Sequence, residues 1–214
     1  MPVITQISEQ KRRQNRRNIY LDGAFAFGVN LNVVATFRLR EGLSLSAEQV
    51  AEIERGEVRQ ECFDRAIRLL EGRLHSRAEL KKKLGRHEYG DAVIEGVLTD
   101  LERLNYIDDA RFAKSKATTT AQYKHHGKRR AMQELMRAGV KGSVAKAALD
   151  EVYDATDPVA EARALAEKQA ARLSRLDPIV AKRRLVGMLQ RRGFDYEAIK
   201  PVVDAVLGGR SGDD

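Results

Sequence analysis

Three runs of consecutive cations, Lys81-Lys82-Lys83, Lys128-Arg129-Arg130 and Lys182-Arg183-Arg184, are the residues whose type and spacing point most clearly to a chemistry. That chemistry is recognition. Ammonium and guanidinium groups displace counter-ions from a polyanion, and no bond has to form or break. Further cations accompany the runs, Arg86 after the first and Arg191 and Arg192 after the third. A fourth concentration lies near the N-terminus, where Lys11, Arg12, Arg13, Arg16 and Arg17 place five positive charges in seven residues. The plainer alternative for each run is a solvated helix face or loop.

Groups suited to covalent or metal chemistry are poorly arranged by comparison. His125 and His126 are adjacent and so point to different faces of a helix, while His75 and His87 have no ligand partner at helical spacing. Asp108-Asp109 resembles a magnesium ligand pair, but a helical pattern begins directly after it, which makes the pair a helix cap. The single cysteine, Cys62, falls in an apolar helical stripe and reads as a small buried hydrophobe, with no disulfide partner in the chain. No Walker A motif, G-x-G-x-x-G or serine triad context is present. The expectation is a protein without enzymatic activity, cofactor or metal, with a metal-dependent nuclease as the remote alternative.

Composition agrees with binding. Lys and Arg outnumber Asp and Glu by 39 to 31, a formal net charge of +8 and a pI near 9.7, which favours polyanions or acidic surfaces. Hydrophobic residues make up 43% but aromatics only 6%, with no Trp, so several small cores fit better than one large one. The absence of a long apolar run and of a secretion signal leads to the expectation of a cytoplasmic protein without membrane contact.

The cations must be positioned by regular elements. Asp22-Gly23 between apolar runs signals a type I′ hairpin that pairs Leu21 with Ala24 and Tyr20 with Phe25, with Tyr20, Phe25 and Phe27 sharing one face. Val3, Thr5 and Ile7 alternate likewise and offer a third strand. The Lys11–Arg17 run then falls in a loop or mobile arm. Residues 31–41 carry a helical pattern ending at Gly42, and Ser46 with Gln49 forms a capping box for a helix to about Arg55.

From there the chain repeats. Leu84, Leu135 and Leu189 are anchors spaced 51 and 54 residues apart. Apolar residues recur at matched positions after them: Tyr89, Val140 and Phe194, then Val93, Val144 and Ala198. Leu98, Leu149 and Val203 follow, and then Leu101, Val152 and Val206. Two more helices precede each anchor. Ser76-Arg77-Ala78-Glu79 opens a second helix, Asp157-Pro158 and Asp177-Pro178 are N-cap and first-turn pairs, and Gly139 and Gly193 stop the second helix. The fold class is therefore mainly all-α, three tandem three-helix bundles after a small N-terminal hairpin segment. The expected divisions are residues 1–57, 58–107, 108–156 and 157–207, with 208–214 a disordered tail.

Charge sorts by helix. The second helices (77–87, 128–138 and 182–192) carry +4, +3 and +5, whereas the third helices (91–104, 141–153 and 195–207) carry −3, 0 and −2. A helix-turn-helix reader would insert the third helix into the major groove, where acidic residues meet phosphate repulsion. Backbone contact or an acidic partner surface suits the basic second helices better.

The segment Leu101-Glu102-Arg103-Leu104-Asn105-Tyr106-Ile107-Asp108-Asp109-Ala110-Arg111-Phe112-Ala113 resembles the most characteristic stretch of the RecX regulators of the bacterial recombinase RecA. Ser76–Leu80, Gly127–Leu135 and Leu189–Phe194 match in the same order, although Asn105 stands where Gly is common and Ala131 where a larger apolar residue is common. The resemblance implies a non-enzymatic regulator, usually an inhibitor, that binds along the RecA–DNA filament and suppresses its ATPase and strand exchange. Its setting would be DNA repair, homologous recombination and the SOS response. It also implies weaker, nonspecific binding of single- and double-stranded DNA by what should be a monomer. A sequence-nonspecific architectural DNA-binding protein is the alternative.

Overall fold

The computed structural model describes residues 1–11 and 13–208. Arg12, one of the basic candidates, and residues 209–214 of the expected tail lie outside the described residues. The chain forms two compact units, one of Met1–His75 with Leu80–Ile107, the other of Ser76–Glu79 with the chain from Asp108 onward.

In the first unit, strands β1 (Ile4–Gln10), β2 (Arg13–Leu21) and β3 (Ala24–Asn30) make an antiparallel sheet in the order β1-β2-β3. The Asp22-Gly23 turn has positive φ at both positions, 49° and 86°, and sets Leu21 opposite Ala24 and Tyr20 opposite Phe25, as the hairpin signal requires. Two irregularities break the simple alternation. A register shift between Ile19 and Tyr20 puts Phe27 opposite Ile19 and into the core, while Phe25 stays 59% exposed. Another between Ile4 and Gln6 lets Ile4 and Ile7 both face the core, instead of Val3, Thr5 and Ile7. Of the basic segment expected as a loop or arm, Arg13, Arg16 and Arg17 lie instead in the first half of β2.

Helix α1 (Leu31–Thr36) is capped by the Asn30 side chain and ends before Gly42, because Arg38 (φ 50°) and Gly42 (φ 84°) turn the chain back. The returning segment covers part of the β1 edge, with Ile4 N–H donating to Leu43 O at 2.9 Å and Gly42 N–H to Ile4 O at 2.8 Å. Ser46 and Gln49 form both halves of the expected capping box at the start of α2 (Ala47–Gly72). That helix was expected to stop near Arg55 but runs on for 26 residues. Gly56 is not a stop: a Cβ there would lie 2.6 Å from the Phe37 ring, so its bare Cα makes room for Phe37. The two halves of α2 serve two cores. Ile53 joins Ile4, Ile19, Val29, Val33 and Leu45 under the sheet, while Cys62 and Ala66 pack with Leu80, Leu84, Ile94 and Leu98. The latter core unites α2, α3 (Arg77–Leu84, of which the first turn belongs to the second unit) and α4 (Asp91–Arg103).

The second unit holds α5 (Asp109–Thr118), a π-helical turn (Thr119–Tyr123), α6 (Lys128–Arg137), α7 (Gly142–Tyr153), α8 (Pro158–Leu173), α9 (Pro178–Arg192) and α10 (Tyr196–Gly208). The expected start signals act as such. Asp108, Asp157 and Asp177 each accept hydrogen bonds from two amides of the first turn, and Pro158 and Pro178 occupy the first turn. Anchors Leu84, Leu135 and Leu189 are fully buried, as are Leu98, Leu149 and Val203 to within 1%. The three-helix repeat after a small sheet is therefore the fold. The core of the middle copy is rich in alanine (Ala113, Ala117, Ala131, Ala145), which brings its helix backbones close.

Within the second unit, the second and third copies meet through the ends of their second helices. Gly193 closes α9 with φ 87° and lies directly against the start of α6. A Cβ on Gly193 would sit 2.4 Å from Arg130 N, and one on Gly127 2.3 Å from Gly193 O. Gly127 N–H donates to Arg192 O at 2.9 Å, so an orphan carbonyl of one helix satisfies an amide at the next. The same pattern recurs at Gly139 (φ 76°), where a Cβ would lie 2.3 Å from Ala78 Cβ. There Ser76 Oγ donates to Ala138 O at 2.5 Å and accepts from Glu79 N–H at 3.0 Å. Gly193→Ala combines a left-handed backbone with a backbone clash and is expected to lower the unfolding free energy by about 2 kcal/mol or more. Gly142→Ala, whose Cβ would meet nothing within 4 Å, should change it by less than about 0.5 kcal/mol in urea titrations.

Candidate polyanion interface

The basic candidates divide into those neutralised within the fold and those left open. Arg16 Nη1 lies 2.8 Å from Glu57 and 3.0 Å from Glu61, and its Nη2 donates to Gly28 O at 3.1 Å. Glu57 also accepts from Asn30 N–H at 2.6 Å, so Arg16 fastens the sheet to α2. Burial raises the Glu57 pKa, against the Asn30 amide and the Arg16 charge, which lower it. Arg17 pairs with Glu9 at 2.8 Å. Lys11 and Arg13 are exposed. In α3, Lys81 pairs with Glu95 at 2.5 Å, whereas Lys82 is exposed, Lys83 half-buried, and Arg86 exposed beyond the helix end.

In the second unit the pairing repeats. Lys128 lies 2.8 Å from Asp150, and Lys182 lies 2.9 Å from Asp204. Each lysine stands seven residues before its anchor leucine and each aspartate fifteen after it, so the two copies make one equivalent bond from second helix to third. The Asp150 hydrogen bond holds the Lys128 ammonium above its ordinary pKa. Such exposed pairs are screened by solvent and contribute little to stability. They do account for part of the negative charge on the third helices, which is matched to lysines inside each copy.

What remains is arginine. Arg129, Arg183, Arg184 and Arg191 are exposed, and no carboxylate among the described residues lies within ion-pairing distance of any of them. A groove of about 740 Å³ opens along the junction of α6 and α9, lined by His126, Arg129, Arg130, Gln133, Gln190 and Arg191. Gly187 gives it room, since a Cβ there would stand 3.3 Å from Arg191 Nη1. Three residues of the α6 first turn are cations and none is acidic, and the Gly127 N-cap provides no side-chain hydrogen bond. Cations at a helix N-terminus oppose its dipole, at a cost of about 0.3–1 kcal/mol each. An anion in the groove would relieve that cost and meet guanidinium and amide donors together.

Beneath the groove Glu134 acts as a hub. Lys124 Nζ lies 2.9 Å away, His126 Nδ1 3.3 Å and Arg130 Nε 3.8 Å. Burial raises the Glu134 pKa, but the Lys124 hydrogen bond and the surrounding charges outweigh it and keep the group ionised to lower pH. Arg192 Nη1 donates to Lys124 O at 2.8 Å and Tyr153 Oη to His126 O at 2.7 Å, which fixes the segment leading into α6. Gln133, Gln190 and Glu134 were not singled out from the sequence, and His126 was weighed there only as a metal ligand. The mid-helix glycine at 187, four residues before Arg191, was the available signal.

The remaining chemical candidates have structural employment. Asp108 caps α5, and Asp109 accepts from Arg77 N–H at 2.9 Å. Cys62 is fully buried and its thiol is pushed up to about 11, chiefly by burial. Among the described residues no three His, Cys, Asp or Glu side chains are grouped to hold a metal, and no helix is long and apolar enough to cross a membrane.

Four family models match the chain in order: the regulatory protein RecX N-terminal domain over residues 2–46, and the first, second and third RecX three-helix domains over 62–101, 108–149 and 156–203. Regulatory protein RecX of Bacillus subtilis is 31% identical over 206 residues, 96% of this chain and 78% of the relative. That of Clostridioides difficile is 30% identical, with 97% of each covered. Among solved structures, a crystal structure of regulatory protein RecX superposes with a TM-score of 0.80 at 26% identity, covering 95% of this chain and all of the other. RecX from Lactobacillus salivarius, at 22% identity and a TM-score of 0.61 over 71% of the chain, shares the fold.

Burial lowers the His126 pKa below its ordinary 6.5, against the raising pull of Glu134. A depressed folded-state value stabilises the fold above the unfolded pKa and withdraws that contribution as pH falls below it. The urea midpoint is therefore expected to drop between about pH 7.5 and about pH 5.5, and to drop less in His126→Gln.

Proposed function

We propose, from the premise that this chain belongs to the RecX family of regulatory proteins, that it is a non-enzymatic inhibitor of the RecA recombinase acting on the RecA–DNA filament. The observation that carries this reading is the groove at the α6–α9 junction, where exposed guanidiniums have no carboxylate partner and three cations stand against the α6 dipole. Side chains in that state favour a surface dense in negative charge, such as the phosphates and acidic residues of a nucleoprotein filament. Lys82 and Arg86 of the first unit supply a separate basic contact, and two modest contacts on one chain bind together far more tightly than either alone.

The mode of contact follows from charge. The third helices carry acidic residues that pair with second-helix lysines, so base reading by these helices is disfavoured and contact is with backbone or protein surface. Inhibition then requires only occupancy of the filament surface.

The test is the single-stranded-DNA-dependent ATPase of the recombinase with rising amounts of this protein. The protein should suppress the rate, and Arg129→Glu with Arg191→Glu should raise the amount needed for half-suppression by about tenfold or more. No effect of the unaltered protein on rate or filament length would remove the regulator reading. Equal binding to bare DNA and to filament would favour a plain architectural DNA-binding protein instead.

A further inference from the structure

We propose that the first unit contains a second anion site, the groove between the start of β2, the end of β3 and the middle of α2, and that it takes the phosphodiester backbone of a nucleic acid strand. The groove has a volume of about 480 Å³, and apart from the Tyr89 ring its lining is polar. Arg13 reaches it from β2, and Arg65 and Arg68, one helical turn apart, reach it from α2.

Its carboxylates are already engaged. Glu57 and Glu61 hold Arg16 at 2.8 and 3.0 Å. Asp64 accepts from Asn30 Nδ2 at 2.9 Å and from Gln60 Nε2 at 2.7 Å. The three remaining guanidiniums have no anionic partner among the described residues. Arg65 is held by side chains other than carboxylates, its Nε donating to Tyr89 Oη at 3.2 Å and its Nη1 lying 3.2 Å from His87 Nε2. That leaves Arg65 oriented but uncompensated, beside two exposed arginines in one cavity. A planar guanidinium presents a fork of donors matched to phosphate oxygens, and such placement lowers the entropy lost on binding.

The lining decides between kinds of anion. An acidic peptide gains most from an anchoring side chain, and beyond the Tyr89 ring this groove offers it no apolar surface. A nucleic acid strand draws its affinity from phosphate neutralisation, and needs only the donors present. Arg65 and Arg68 belong to none of the cation runs that mark the second helices, and the site stands whether or not the recombinase is the partner of α6 and α9.

Binding of a fluorescent single-stranded thymidine 15-mer to the full chain, followed by anisotropy across a salt series, tests the site. Arg13→Gln with Arg68→Gln removes two exposed guanidiniums that support no neighbour, so melting should be unchanged. The variant is expected to bind about 5- to 10-fold more weakly at low salt, with a log–log salt slope shallower by roughly 1.4. Recombinase ATPase suppression through the α6–α9 junction, tested separately with Arg129 and Arg191, reports on the other groove alone. Unchanged affinity and slope in a folded variant would overturn the site. So would competition by a glutamate 15-mer that the wild-type protein shows and the variant loses, since that would assign the groove to an acidic protein segment.

Discussion

Two backbones touching at Gly127 and Gly193 are the constraint on which the second unit depends. No side chain fits between the end of α9 and the start of α6, and the Arg192 carbonyl reaches the Gly127 amide only because none is there. The contact sets one basic helix at the end of another and places Arg191 beside Arg129 and Arg130. It also sets like charges together and cations against a helix dipole, an arrangement that folding alone disfavours. Glu134, Lys124, Tyr153 and Arg192 hold the connecting segment in place, so the groove is built before any ligand arrives. Such a preformed site loses less entropy on binding than one assembled around its ligand.

Charge in this protein works at two levels. Lys128–Asp150 and Lys182–Asp204 join second helix to third inside each copy, and Arg16–Glu57 joins sheet to α2. These pairs remove cations from the binding inventory. Among the arginines left over, Arg129 and Arg191 share a groove in the second unit, and Arg13, Arg65 and Arg68 share one in the first. Membership of the RecX family gives the regulatory setting, while the distribution of unpaired guanidiniums gives the physical form that regulation would take.

Much of this was legible in the residues. Asp-Pro pairs, the Ser76 cap and the stop glycines fixed the helix ends, because cap chemistry is local. The anchor leucines exposed the repeat, since each copy needs the same buried stripe. Features that depend on distant partners were not legible. Gly56 resembles a helix stop unless Phe37 is known to lie over it. Arg16 looks like one of five free cations until Glu57 meets it across the sheet. The strand irregularities at Thr5 and Ala26 shift Ile4 and Phe27 onto the buried face, which no alternating pattern encodes. The grooves arise where copies or elements meet, so no single element's pattern contains them.

Amide hydrogen exchange of this chain, free and on the assembled recombinase filament, would show whether the α6–α9 junction is the surface that meets the filament. Protection is expected in the first turn of α6 and the last turns of α9, with α7 and α10 unchanged. Protection confined to α7 and α10, with the α6–α9 junction exchanging as in the free chain, would contradict it.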